Sequence, residues 1–404
     1  MRILSLCRDA IPCEFATRLA VDAGCIVIKA EEAAGDPLRT RLPGLAAWLC
    51  AEVIRIENRA HLDIHRRGGP YAGGKAGLDR SGTWNAQNRG KLGCTLDVTN
   101  EEGRALFLDL AARSDVIIEN FSPGTLEKWS LGFEALRAVS PRIVVLRLSG
   151  YGQTGPWRDS LAYGPMMDAA TGLSAVTTYG DGLPRAVNGW AADIGGALHG
   201  CAAVTRALLA EPRVAMHLDV SQFEAGVLFN AAALIEQGNP ATPPALPVLQ
   251  AAVESRETDR WIAVSARAGD ELEKLCALIG AAAPAQPAPD ALPAIEAALQ
   301  AWAATHDQGA ALQALAAAGV PAVPVTTTRE LIGDGRVHQR GTWIDIDHPE
   351  AGRMTCYGGI IRLEGAASGT RPAPRLGEHN DHVFGTLLDL SATRIAELAG
   401  RGVL

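Results

Sequence analysis

Residues 99–148, TNEEGRALFLDLAARSDVIIENFSPGTLEKWSLGFEALRAVSPRIVVLRL, decide the fold class of this chain. Thr99 is expected to cap a helix whose first turn Glu102 completes as a capping box. The short apolar runs at 116–118 and 142–148 predict buried strands. Helices that alternate with buried strands at this spacing predict an α/β fold with a Rossmann-like parallel sheet.

The same alternation extends toward the N-terminus. Residues 2–6 and 25–29 are short apolar runs separated by a helical pattern around 15–23, which predicts a β-α-β unit. No GxGxxG motif follows the first strand, so a dinucleotide is not indicated. Segments 20–39 and 46–66 look like two copies of one helix–strand unit. They are either a local duplication or two ordinary α/β units.

A second unit is expected beyond a proline-rich stretch at 239–247, which marks a boundary. The apolar run at 261–264 begins a strand, alanine-rich helices follow, and 319–325 predicts the strand that closes this unit. The tail predicts a hairpin over 344–361 and then a final helix.

Composition excludes several classes of function. The net charge of -8 gives no overall attraction to nucleic acid. No stretch approaches ~18 uncharged apolar residues, and Arg2, Arg8 and Asp9 interrupt any secretory signal, so a cytoplasmic protein without a membrane span is expected. The eight cysteines are scattered without a CxxC pair, which argues against a zinc site and a disulfide framework.

Three loops carry residues suited to an anionic ligand. Arg39 ends the turn GDPLR, Arg89 and Lys91 flank a glycine, and the stretch 119–124 follows a predicted strand. Ligands of open α/β sheets bind at the carboxyl ends of the strands, and arginine binds phosphate through paired hydrogen bonds. The cluster 379–382 (His-Asn-Asp-His) lacks a third spaced ligand, so a solvated loop is expected there rather than a metal site.

Eight motifs occur along the chain in the order typical of one enzyme family. They are GDPLR, NRGK, ENFSPG, LSGYGQTGP, DVSQFEA, GVPAVPV, HPEAG and PAPRLGEH. On these motifs the chain resembles the class III CoA-transferases, a family that includes formyl-CoA transferase, carnitine CoA-transferase and α-methylacyl-CoA racemase.

The resemblance implies a large Rossmann-like domain interrupted by a smaller α/β domain, in dimers whose ring-shaped chains interlock. It places the CoA-binding domain at 1–190, a helical linker at 191–235, the small domain at 236–325 and the return to the large domain at 326–404. It also implies coenzyme A as a substrate, with no covalently bound cofactor.

The resemblance assigns candidate residues to the CoA site. By motif match, Arg39, Arg89 and Lys91 are expected to meet the phosphates of CoA, and Asn120 and Phe121 to line its pocket. Transferases of this type use an aspartate that attacks the acyl-CoA thioester and forms covalent intermediates. Aligned through the GQTGP motif and the following Gly-Leu pair, that position is Gly164 here.

Asp168 follows Gly164 by four residues, about 6 Å away on the same helix face. The sequence therefore predicts a CoA-transferase subunit without its own nucleophile, paired with a homologous catalytic subunit as in succinyl-CoA:benzylsuccinate CoA-transferase. The substrates would be an acyl-CoA such as succinyl-CoA and a carboxylic acid such as benzylsuccinate. The alternatives are a self-sufficient transferase or isomerase that uses Asp168, and a non-catalytic CoA-binding protein.

Overall fold

The central strands of the protein are apolar on both faces. In the computed structural model β5 (Val116–Glu119) and β6 (Val144–Ser149) are buried along their whole length. Strands covered on both faces are typical of a parallel sheet between two layers of helices. The structure describes residues 2–6, 28–31, 52–178, 182–186, 191–238, 248–284, 291–358 and 371–404.

In the described residues of the first unit, the sheet has seven strands, and all of their pairings are parallel. The other strands are β1 (Arg2–Leu6), β2 (Ile28–Glu31), β3 (Glu52–Glu57), β4 (Leu92–Thr95) and β7 (Met216–Ser221). On one side β3 pairs with β4. On the other side β1 and β2 each pair with both β3 and β5. The pairing continues from β5 to β6 and from β6 to β7.

The helices of the first unit follow the strands they connect. They are α1 (Ile64–Arg67), α2 (Gly82–Gln87), α3 (Glu101–Ala112), α4 (Thr125–Lys128), α5 (Phe133–Val139), α6 (Gly164–Ala170), α7 (Leu173–Val176), α8 (Ala191–Leu208) and α9 (Gln222–Phe229). A 3-10 turn spans Ala72–Gly74.

Successive residues of the strands point to opposite faces of the sheet and belong to two hydrophobic cores. Ile117 and Val145 pack on the side of α3 and the C-terminal segment, while Ile118 and Leu146 pack against α8. Gly200 lets α8 approach the sheet, because an added Cβ would lie 3.0 Å from a methyl carbon of Leu146. The predicted α/β fold with a parallel sheet is therefore confirmed.

The cap of α3 corrects one detail of the sequence analysis. Asn100, not Thr99, is the N-cap, and its side chain accepts hydrogen bonds from the amides of Glu102 and Gly103. Thr99 instead donates its hydroxyl to Asp97 at 2.6 Å. Both residues are good caps by type, so the chain pattern alone could not separate adjacent positions.

The second unit covers residues 234–335, and residues 1–233 and 336–404 form the first. Its sheet is antiparallel, with β9 (Trp261–Arg267) between β8 (Val248–Glu254) and β10 (Ala322–Pro324). Its helices are α10 (Ala231–Gly238), which begins just before it, α11 (Asp270–Ile279), α12 (Leu292–Ala303), α13 (Gln308–Ala317) and α14 (Thr328–Gly333). The next helix, α15 (Gly335–Gln339), starts at the last residue of this unit and continues in the first. The predicted domain bounds stay a prediction.

The tail of the chain belongs to the first unit. The predicted hairpin is present as β11 (Trp343–His348) and β12 (Gly352–Tyr357). A π-helical segment at Asp381–Leu387 and α16 (Ala392–Gly400) complete the chain. The tail is tied to the sheet by side-chain and main-chain bonds, since Asn380 binds both the amide and the hydroxyl of Thr95 at 2.9 Å. No helix in the described ranges is long and apolar enough to cross a membrane.

Candidate CoA-transfer site

Gly164 is the first residue of α6 and is buried. Tyr163 precedes it in an extended conformation, and Pro165 follows in the first turn, where a missing amide proton costs nothing. The sequence therefore starts a helix here with two residues that carry no reactive atom. Chemically, this position offers neither a carboxylate nor a hydroxyl to a thioester.

Asp168 lies one turn further along α6 and is 1% exposed. Its Oδ1 accepts a hydrogen bond of 3.1 Å from the amide of Ala192, in the first turn of α8. Burial raises the pKa of Asp168, against the lowering effect of the hydrogen bonds from Ala192 and Ala191. The carboxylate thus satisfies the amino end of an 18-residue helix, an electrostatically favourable place for it.

Asn120 and Phe121 follow β5 at the carboxyl edge of the sheet. Asn120 is half-buried, while Phe121 is 2% exposed and packs edge-on against Trp129 with ring centroids 5.0 Å apart. The amide of Phe121 donates to the Glu119 carboxyl at 2.7 Å. The loop after β5 is thus anchored in the core, and Asn120 is its more accessible member.

Arg89 and Lys91 precede β4 and are each 2% exposed. The guanidinium of Arg89 donates from Nε to the carbonyl of Ala86 at 3.2 Å, and Lys91 donates from Nζ to Oδ1 of Asn88 at 3.0 Å. The sequence pattern suggested cations turned toward a ligand. The structure instead buries both side chains, which bond to the carboxyl end of α2 and its cap.

The two groups of predicted residues do not lie side by side. Leu92 of β4 and Ile117 of β5 lie at the same level of the sheet, because the register of the strands between them, β3 and β2, connects the two residues. Three strand spacings, about 14 Å, separate these two strands. Lys91 precedes the amino end of β4, whereas Asn120 follows the carboxyl end of β5. Arg39 lies outside the described residues.

A buried stack of charged side chains beside Arg89 and Lys91 escaped the sequence analysis. Two guanidiniums lie over the Trp84 ring, with the central carbons of Arg55 and Arg66 at 4.1 and 3.5 Å from its centroid. Arg66 binds both oxygens of Glu57, at 2.8 and 2.7 Å. Burial lowers the pKa of Arg66, but Glu57 and neighbouring carboxylates hold it above its ordinary value.

This stack has a second connection, to the C-terminal segment. The indole nitrogen of Trp84 donates to the carbonyl of Pro374 at 3.2 Å, and Arg66 donates to the same oxygen at 3.3 Å. The sequence of β3 gave one available signal, since Arg55 and Glu57 are charged residues within a strand whose other members after Glu52 are apolar. Contacts between these residues and segments far along the chain, such as the one with Pro374, leave no pattern in the local sequence.

The segment 379–382 differs from the solvated loop that was expected. His379 exchanges bonds with Gly93 of β4: its amide donates to the Gly93 carbonyl at 2.8 Å, and its Nδ1 accepts from the Gly93 amide at 3.1 Å. Burial lowers the pKa of His379. Within the part of the chain that the structure describes, no group of three or more His, Cys, Asp or Glu residues could hold a metal ion.

Comparison with known proteins defines the class to which this fold and site belong. The sequence profile of CoA-transferase family III matches residues 44–380, and the chain belongs to that family. The prediction of an enzyme family whose members use CoA thioesters is confirmed.

Two similar proteins come from Chloroflexus aurantiacus. A succinyl-CoA–D-citramalate CoA-transferase is 28% identical over 89% of this chain and 93% of its own length. The beta subunit of a succinyl-CoA–L-malate CoA-transferase is 27% identical over 95% of this chain and 98% of its own. A formyl-CoA:oxalate CoA-transferase from Rhodopseudomonas palustris is 26% identical over 89% and 92%.

Solved structures show the same fold. A CaiB/BaiF family protein from Brucella suis superposes with a TM-score of 0.77, at 24% identity, over 96% of this chain and 98% of its own. A protein from Mycobacterium tuberculosis gives a TM-score of 0.72 at 23% identity, over 95% and 98%.

Proposed function

We propose that this chain is a subunit of a two-subunit class III CoA-transferase and lacks a nucleophile of its own. It would act in the cytoplasm with a homologous subunit that carries the aspartate. The observation that carries this proposal is Gly164 at the start of α6, because a glycine has no side-chain atom to attack a thioester.

The surroundings of Asp168 argue against the self-sufficient alternative. This residue is 1% exposed and its carboxyl binds the first turn of α8 through Oδ1, so an attack on substrate would require the carboxyl to leave this buried position. Covalent attack also tolerates little misplacement, and Asp168 lies a full turn from position 164. By the family resemblance, racemases pair their aspartate with a histidine at a position that falls near Glu134 here. Glu134 is 73% exposed and pairs with Arg137, which disfavours an isomerase.

The surface near Gly164 supports a protein partner. Trp157, Leu161 and Met166 flank this position in sequence and are 56%, 71% and 48% exposed. Large apolar side chains grouped on a surface mark interaction sites. One similar protein is named as the beta subunit of a CoA-transferase, which also supports an assembly of two kinds of subunit. We propose that the two subunits interlock as rings, as the family resemblance implies.

Coenzyme A is the proposed common substrate, and its pocket would extend from the carboxyl edge of the sheet. Asn120 and Phe121 would line it, and Arg39, Arg89 and Lys91 would meet the phosphates. Because Arg89 and Lys91 are buried, their side chains must turn outward when CoA binds. Arginine at such a position suits phosphate through its planar set of donors.

For the donor and acceptor we propose succinyl-CoA and a dicarboxylic acid, with benzylsuccinate as the named candidate. Both Chloroflexus proteins are named for succinyl-CoA, which supports that donor. Citramalate, malate and oxalate, from the names of the similar proteins, complete the panel of acceptors to be compared.

The test compares the isolated chain with the chain co-expressed with a homologue that has aspartate at the aligned position. We expect no CoA transfer from succinyl-CoA by the isolated chain and turnover by the complex. Robust turnover by the isolated chain, abolished by Asp168→Ala, would establish the self-sufficient alternative. CoA binding without turnover in any such complex would establish a non-catalytic binding protein.

A further inference from the structure

Arg147 lies on β6, 4% exposed, with its guanidinium against three separate segments of the first unit. Its Nε lies 3.2 Å from Oε1 of Glu119 at the end of β5. Its Nη2 donates to Oε1 of Glu127 in α4 at 2.7 Å, and its Nη1 donates to Oε1 of Gln153 at 3.2 Å. A single side chain therefore connects β5, α4 and the loop at 150–156.

Gln153 makes further hydrogen bonds besides the one from Arg147. Its Nε2 donates to the hydroxyl of Ser149 at 3.1 Å, and its main-chain amide donates to both carboxyl oxygens of Asp219 at 3.0 Å. Gly152 precedes it with a φ of 83°, a left-handed conformation that favours glycine. The glutamine of the GQTGP motif thus fixes its loop, and the exposed residues 154–156 form the tip.

Glu119 connects Arg147 to a second loop, the one at 119–124. It is 2% exposed, and its Oε2 accepts from the amide of Phe121, a residue proposed to line the CoA pocket. Two loops at the carboxyl edge of the sheet are thus tied to one guanidinium. Arginine can do this because its donors point in several fixed directions, whereas lysine presents one compact charge.

We propose that Arg147 is a positioning residue of the CoA-transfer site, which sets the loop 119–124 against the loop 150–156. This proposal rests on the CoA-binding function proposed above. A purely structural ion pair could be replaced by neutral groups with little loss of stability. Replacing a positioning residue would disturb the loops and weaken CoA binding even where stability is kept, because no neutral pair reaches both loops at once.

The experiment uses the full chain and free CoA. The variants are Arg147→Met, Arg147→Lys, the double variant Glu119→Gln/Arg147→Met, and Arg353→Met as control. Arg353 is a 71% exposed arginine paired with Asp345 on the hairpin. Titration calorimetry gives the Kd for CoA, hydrogen exchange gives the protection of both loops, and urea denaturation gives the stability.

We expect Arg147→Met to raise the Kd for CoA by about tenfold or more, because small misplacements in a binding site are costly. Amide exchange should rise in both loops. Arg147→Lys should recover only part of the affinity, and Arg353→Met should match the wild type. The double variant should unfold at a urea concentration close to that of the wild type, yet bind CoA as weakly as Arg147→Met.

Two results would overturn the proposal: unchanged loop exchange in Arg147→Met, or recovery of CoA affinity in the double variant. If the wild type binds no CoA, the proposed CoA function fails. In that case hydrogen exchange alone tests the positioning role. Faster exchange in both loops of Arg147→Met would support the role, and unchanged exchange would refute it.

Discussion

Glu119→Gln tests the electrostatics of the carboxyl edge of the sheet. Burial raises the pKa of Glu119 to about 8, although Arg147 and the Phe121 amide act to lower it. A glutamate in the unfolded chain titrates near its ordinary value of 4.5. Between these values the folded protein binds one proton more than the unfolded chain, so its free energy of unfolding falls as the pH rises.

The magnitude follows from this one proton. The free energy of unfolding should fall by about 1.4 kcal/mol for each pH unit inside the window, or about 2 kcal/mol between roughly pH 6 and pH 7.5. Glutamine does not titrate, so the free energy of unfolding of Glu119→Gln should not show this decrease with pH. The variant should therefore gain about 2 kcal/mol relative to the wild type over the same interval.

Urea denaturation of both proteins at the two pH values measures this difference. Glu134→Gln is the control, because it removes an exposed glutamate whose ion pair with Arg137 is screened by solvent. If the wild type instead gains stability relative to Glu119→Gln as the pH rises, the Arg147 contact outweighs burial. The reasoning about this carboxyl would then be refuted.

Three further substitutions test other contacts, each by urea denaturation. Trp84→Leu removes the ring that two buried guanidiniums contact and should cost roughly 3–5 kcal/mol, and a loss below 1 kcal/mol would contradict these contacts. Asp168→Ala removes the acceptor at the amino end of α8 and should cost about 1–2 kcal/mol without changing CoA affinity; an unchanged stability would contradict the capping role. Gly103→Ala places a Cβ 2.0 Å from the carbonyl oxygen of Asp97, so only a small fraction should fold, and wild-type yield and stability would refute the close contact.

The strands and helices that follow local patterns were predictable from the sequence. The apolar runs of β5 and β6 are strands because both faces are covered, and a continuous apolar run is what such a position requires. The hairpin of β11 and β12 was also found. Choices between adjacent residues were not predictable, as the cap at Asn100 instead of Thr99 shows.

For the site, the sequence predicted which loops take part but not the contacts that their side chains make. The sequence located Asn120 after a strand, and the structure has it at the carboxyl edge of the sheet. The contacts of Arg147 depend on partners such as Glu127, 20 residues away, and pairing at such a distance leaves no local pattern. His379 escaped for the same reason, since its partner Gly93 lies 286 residues away.

The most direct measurement is the intact mass of the isolated protein after incubation with succinyl-CoA. Wild type should keep its mass, because Gly164 offers no carboxylate to form the enzyme-bound CoA thioester. A homologue with an aspartate at that position, as proposed for the partner subunit, should gain the CoA adduct, sensitive to hydroxylamine. A hydroxylamine-sensitive CoA adduct on this chain alone would contradict the account.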